Sequence, residues 1–166
     1  MPQLDEVFYY LRGLWLILVQ PAAGLRHLDF SWRGLWRSFW AMLYCLPPIL
    51  MSWAAIRMEY LSIRPANATT GPDFFFKLAV LEAVVWIVPI LAMAAVMMAA
   101  GFASRIVAIL VTYNWMMVPV SWMLSVYFFL MILSPGDAQG FALIYLILTM
   151  LALAGEFMVF NVLLDG

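Results

Sequence analysis

Charged side chains are what this sequence contains least of. Only 10% of its 166 residues are charged, whereas globular chains average about 25%. Hydrophobic residues make up 67%, and the mean hydropathy is +1.02. The 60 residues from Phe74 to Leu133 include three charged side chains, those of Lys77, Glu82 and Arg105. Because a soluble helix keeps one polar face, this pattern excludes a soluble fold and predicts an integral membrane protein.

Cysteine, histidine and an excess of either charge are also scarce. Cys45 and His27 are single, so the sequence excludes an internal disulfide and predicts no metal or cofactor site built from such ligands. The net charge of −1 gives no sign of nucleic-acid binding. The opening residues, 1–6, carry acids instead of a basic start, so we expect no cleaved signal peptide. Hydrolase, zinc-protease and nucleotide-binding motifs are missing, so we predict no catalytic residue and no enzyme activity.

Long apolar stretches dominate what remains. They predict a single all-α domain over residues 1–166, a bundle of membrane-spanning helices at 38–56, 73–100, 103–133 and 139–164. One crossing needs about 20 apolar residues. The third stretch exceeds one straight span, so two half-length helices are an alternative there. The expected number of crossings is four, or five if that stretch divides.

The N-terminal segment, residues 4–20, is apolar but too short to cross. Its central part, 7–19, would form a helix of roughly 20 Å, whereas the hydrocarbon layer is about 30 Å thick. We therefore predict an interfacial helix lying on the membrane and ending before Pro21. In this position Arg12 would reach the lipid phosphates.

Three tryptophans follow at intervals of four residues, Trp32, Trp36 and Trp40, so they share one helical face. Indole rings prefer the boundary between membrane and water. With Arg12, Arg33 and Arg37 they form a predicted interfacial belt, and an aromatic cofactor box is the alternative. Basic residues accumulate on the cytoplasmic side of membranes. Four crossings put five of the eight on the side of both termini, so we predict a multi-pass inner-membrane protein with cytoplasmic termini.

Glu82 and Glu156 fall inside predicted crossings, where a charge costs at least about 2.5–3.5 kcal/mol. One hypothesis makes them proton or cation ligands in a transport path. The other pairs each with a basic residue that fixes the bundle: Arg57 or Lys77 for Glu82, and Arg105 for Glu156. The second hypothesis predicts an Arg105–Glu156 ion pair. The two acids are expected to lie in opposite leaflets.

Two segments resemble a known family. Leu16 to Pro21, followed by Gly24-Leu25-Arg26 and an apolar crossing, is similar to the opening of bacterial members of the Yip family (Ypt-interacting, Rab-associated membrane proteins). The segment from Ile106 to Val120, with Tyr113-Asn114-Trp115 before Pro119, resembles that family's middle region. The acidic-aromatic Gly-Pro signature of eukaryotic members is missing. The resemblance implies a helical membrane protein with a trafficking-like or unknown role and no chemistry of its own.

The sequence leaves three functions open. The first is a non-enzymatic accessory or scaffold subunit, whose partners are membrane lipids and other membrane proteins or further copies of the chain. The second is a small oligomeric transporter or channel that uses Glu82 or Glu156. The third is an enzyme acting on lipid. Absent catalytic motifs and abundant small residues at four-residue spacing favour the first.

Overall fold

A computed structural model describes residues 3–64, 70–135, 137 and 139–165. Residue 165 is described by its backbone alone. These residues form helices and connecting turns without any strand. The elements are α1 (Leu4–Val19), α2 (Pro21–Leu25), α3 (Trp32–Ser38), α4 (Ala41–Ser62), α5 (Pro72–Ala99), a 3-10 turn (Ala103–Arg105), α6 (Ile106–Leu133) and α7 (Ala142–Asp165). The predicted all-α fold class is confirmed.

Four helical segments are long and apolar enough to cross a membrane: Trp32–Ser62, Pro72–Ala99, Ala103–Leu133 and Ala142–Leu164. The third is a single helix that continues through Pro119, so the alternative of two half-length helices is wrong. A transmembrane helix tolerates proline because neighbouring helices and local side chains satisfy the freed backbone groups. The first segment begins before residue 38 because Phe39 and Trp40 keep helical backbone angles between α3 and α4.

The tight connection between α5 and α6 depends on Gly101. Its φ is +80°, a left-handed conformation that glycine adopts without steric cost. The amides of Gly101 and Phe102 donate to the carbonyls of Met98 and Met97, at 3.2 and 2.9 Å. These two bonds satisfy carbonyls left free at the end of α5. The chain therefore reverses within a few residues and brings α6 back along α5.

Helix α6 is the centre of the bundle and contacts α1, α3, α4, α5 and α7. It runs parallel to the first crossing, since Ser38 meets Asn114 near one end and Tyr44 meets Trp122 further along. It runs antiparallel to α7, because Arg105 reaches Leu163 whereas Tyr127 packs on Tyr145. The topology is therefore up and down, with the third crossing at the core.

Helices α1 and α2 form a close hairpin. Gly24 touches the backbone of Gly13 and Ile17, and Gly13 lies against the side chain of His27, so neither position has room for a Cβ. Helix α1 also packs on α6 and α7, with the Tyr10 ring 4.6 Å from that of Trp115. Its interfacial location stays a prediction, but α1 is also part of the packed core.

Candidate functional site

Glu82 lies half-buried on α5, facing α4. The Trp53 side chain of α4 is a neighbour of this carboxyl group. Arg57 instead donates from Nε to Thr70 Oγ1 at 2.7 Å, and Lys77 lies 3.7 Å from Asp73. The predicted pairing of Glu82 with Arg57 or Lys77 is therefore not formed. Lys77 is five residues before Glu82, which turns the two side chains about 140° apart around the helix.

Glu156 lies half-buried on α7, beside Tyr113 of α6. The predicted Arg105–Glu156 ion pair is wrong. The Arg105 guanidinium donates to the carbonyl oxygens of Leu163 and Leu164, at 2.6 and 2.7 Å. The last carbonyls of a helix lack partners within it and carry partial negative charge, so a cation is stabilised there. Glu156 is seven residues earlier, about 10 Å back along α7.

The two acids therefore share one property. In the part of the chain that the structure describes, neither Glu82 nor Glu156 forms an ion pair with a basic residue. An aromatic side chain of another helix lies in the vicinity of each acid, Trp53 for Glu82 and Tyr113 for Glu156. Each is also nearer to a different end of the bundle, since Glu82 is close to the start of α5 and Glu156 close to the end of α7. The structure does not bring them together into one site.

Most residues of the predicted interfacial belt are exposed, whereas one is bound to another side chain of the bundle. Trp32 and Trp36 are 70% and 71% exposed, and Trp40 is less so at 44%. Arg12 and Arg33 are also exposed and reach away from the bundle. Arg37 differs because its guanidinium binds Glu6 at 2.5 Å. Contact of the exposed members with lipid headgroups stays a prediction.

Glu6 uses both of its oxygens, one to join α1 to α3 and the other within α1. Oε2 accepts from Arg37, and Oε1 accepts from the Tyr10 hydroxyl at 2.9 Å. Burial, followed by the hydrogen bond to Glu6, raises the pKa of Tyr10 to about 12, so the phenol stays protonated and donates. The sequence contained a signal for the Glu6–Tyr10 contact only, because these residues are four apart on one helix.

A buried polar contact joins the first crossing to the third. Asn114 is fully buried and donates from Nδ2 to Ser38 Oγ at 2.8 Å, while Ser38 donates to the Leu35 carbonyl at 2.7 Å. Among the described residues, the amide oxygen Asn114 Oδ1 has no hydrogen-bond partner. Trp122 adds a second link, from Nε1 to the Tyr44 carbonyl at 3.1 Å. Sequence reasoning missed the contact between Ser38 and Asn114 because nothing in the sequence pattern connects these two positions.

Comparison with protein-family models, curated proteins and solved structures finds no match to this chain. The resemblance to the Yip family therefore stays a hypothesis that depends on the sequence pattern. Within the described ranges, no three side chains of His, Cys, Asp or Glu come together as metal ligands. The function must be argued from helix packing and from the environments of the two buried acids.

Proposed function

We propose that this multi-pass membrane protein is a non-enzymatic accessory or scaffold subunit. The observation that carries the proposal is the exposure of α5, a 28-residue helix in which only Trp86 and Met97 are buried. Its neighbours within the bundle are mainly α6 and the 3-10 turn that precedes it. Most of its length is therefore available to lipid or to a helix of another protein.

Small residues on the outward side of α5 support a protein partner. Ala95 and Ala99 are exposed and four residues apart, so they share one face. Apolar area alone does not drive association between helices in lipid, because the lipid tails are equally apolar. Small residues at this spacing favour association because they let two helix backbones approach closely. The proposed occupant of this face is a transmembrane helix of a partner membrane protein.

The cellular location belongs to the same proposal. We propose an inner-membrane location with both termini in the cytoplasm because four of the eight basic residues lie before residue 38 and Arg105 brings the number on that side of the membrane to five. The exposed Trp32 and Trp36 then lie at the cytoplasmic boundary, where indole rings are enriched. Membrane lipids are the second class of partner.

Affinity purification from native membranes in a mild detergent tests the proposal. We expect a partner subunit in fixed stoichiometry with the wild-type chain, and a severalfold lower recovery with Ala95→Leu. Ala154→Leu is the matched control, because Ala154 is an equally small, exposed residue on α7. Isolation of the wild-type chain without any stoichiometric membrane protein would overturn the proposal.

A small oligomeric transporter is the second candidate function, and the absence of an ion pair at Glu82 and Glu156 favours it. Glu82→Gln separates the two functions because it removes the charge and keeps the size. A scaffold variant should stay folded and assembled, with equal or higher thermal stability, since no charge has to be buried. A transporter variant would assemble and lose proton-driven flux. The measurement compares complex recovery with acidification-driven uptake in liposomes for both chains, and loss of flux with intact assembly contradicts the scaffold.

A further inference from the structure

An apolar groove of about 360 Å³ lies between α1, α6 and α7. Helix α1 contributes Leu14 and Trp15, α6 contributes Pro119 and Met123, and α7 contributes Ala152 and Gly155. All twelve residues that line the groove have apolar or aromatic side chains. Ordered water needs two to four polar partners, which these side chains do not supply. The groove therefore suits an apolar occupant.

The groove exists because small and cyclic residues meet at one level of the bundle. Gly155 has no side chain, and a Cβ placed there would find its nearest neighbour, Met116 Cε, at 3.7 Å. Ala152 is similarly short, and the Pro119 ring stays close to its own backbone. Three positions thus leave space that larger residues would fill. An alanine at position 155 would fit without strain, whereas a leucine would enter the groove.

The groove lies at the depth of the lipid tails. Its residues on α6 fall within 116–123, which begin ten residues after Ile106 and end seventeen after it. At about 1.5 Å per residue they lie roughly 15–26 Å along a helix of about 42 Å, so they occupy its middle third. The hydrocarbon layer is about 30 Å thick and includes this region. In this placement the part of α1 that lines the groove lies below the headgroups and not on the membrane surface. Trp15, 68% exposed, and Leu151, 58% exposed, leave the groove open on its outer side.

Size decides between a helix and a flexible chain. One turn of helix with its side chains, about 5 Å long and at least 10 Å across, already needs about 400 Å³. The groove is smaller than this, but more than twice the roughly 150 Å³ of a cavity that holds benzene. It has room for about twelve groups of the size of water, and a methylene group is of similar size. These dimensions match an extended hydrocarbon chain.

We propose that this groove binds one acyl chain of a membrane phospholipid as a retained, structural lipid. A void would leave the lining atoms without dispersion partners, whereas an acyl chain supplies partners along the whole groove. The bound chain completes the contact between the α1–α2 hairpin and the two crossings beneath it. The inference is independent of any partner on α5, because no residue of α5 lines the groove.

Native mass spectrometry can count the retained lipid. The full chain is reconstituted in vesicles of phosphatidylethanolamine and phosphatidylglycerol, extracted in detergent and washed to remove loosely bound lipid. We expect one phospholipid per wild-type chain and at least a tenfold lower occupancy for Gly155→Leu. Ala154→Leu adds the same side chain on the outward side of α7 and should retain the lipid. Gly155→Ala should also retain it, since its methyl group fits.

A second variant and a second readout keep the test decisive. If Gly155→Leu fails to fold, Leu151→Trp narrows the open side of the groove from an exposed position and should also release the lipid. A phospholipid with a photoreactive group in the middle of one acyl chain should label Met123 or Leu151 in the washed protein. Wild-type protein without phospholipid, or labelling confined to other residues, would overturn the proposal. A dimer that Gly155→Leu converts to a monomer would instead identify the occupant as a second copy of the chain and overturn it as well.

Discussion

Helices α5 and α6 have the same length, 28 residues, and each contains one proline, Pro89 or Pro119. Both are apolar enough to cross a membrane. Yet α6 buries twelve of its residues, whereas α5 buries two. Apolarity alone therefore does not decide which transmembrane helix forms the core. In lipid an apolar side chain gains little free energy from exchanging lipid contacts for protein contacts.

Polar side chains distinguish the two helices more clearly. The buried residues of α6 include Thr112, Asn114 and Ser125, and Asn114 bonds to the first crossing. Helix α5 carries Glu82 as its one polar side chain in the central region, and this acid is half-buried beside Trp53. Hydrogen bonds between helices contribute where no water competes, typically about 0.6–2 kcal/mol each. The core of this bundle is therefore selected by shape and hydrogen bonding.

Matched leucine substitutions in α6 and α5 should differ most in their effect on the free energy of unfolding. Leu110 on α6 is 8% exposed and Leu91 on α5 is 63% exposed. We expect Leu110→Ala to lower the free energy of unfolding by about 2–5 kcal/mol, because it leaves a cavity among packed helices. Leu91 faces away from the bundle, so Leu91→Ala should change the free energy of unfolding by about 0.5 kcal/mol or less. Reversible unfolding in mixed micelles, followed by circular dichroism, measures both, and equal losses would show that α5 is covered by another chain.

Removing the polar contact between the first and third crossings should have the second largest effect on the free energy of unfolding. Ser38→Ala removes the acceptor for Asn114 and leaves the whole amide without a partner. We expect a loss of about 1–3 kcal/mol in the free energy of unfolding. The double variant Ser38→Ala with Asn114→Leu removes both polar groups and should recover most of that loss. A double variant as unstable as the sum of its two single variants would contradict the importance assigned to this contact.

Removing the Glu6–Arg37 ion pair, which joins α1 to α3, should have the smallest effect on the free energy of unfolding. Glu6→Gln keeps an acceptor for Tyr10 but removes the charge that binds Arg37, and both side chains are partly exposed. We expect a loss of about 1 kcal/mol and faster proteolysis of the N-terminal hairpin. Asp5→Asn, an exposed change on the same helix, serves as the control. An effect of Asp5→Asn equal to that of Glu6→Gln would indicate a general charge effect on α1 and not this contact.

Length and apolarity are local properties, so sequence reasoning located four long apolar helices, although the first segment runs over Trp32–Ser62 and not 38–56. The predicted span of 73–100 and the observed Pro72–Ala99 differ by one residue at each end. It located Glu82 and Glu156 correctly within spans but assigned them basic partners that the structure does not provide. The direction in which a side chain leaves its helix depends on the rotation of that helix against its neighbours. Nothing in the sequence around Arg105 indicates that its side chain reaches the end of α7.

A run of about 20 apolar residues can satisfy its backbone in lipid only as a helix, so the apolar runs alone established a membrane protein with four or five crossings. The unbroken α6 then reduced the number of candidate spans to four. Tertiary structure alone decided that α6 is central and α5 peripheral. It also decided that Asn114 meets Ser38, and that Gly155 and Pro119 leave a groove beneath α1. The physical reason is that lipid accepts any apolar face, so hydropathy does not rank the helices. Small differences in packing and a few hydrogen bonds decide which helix is central.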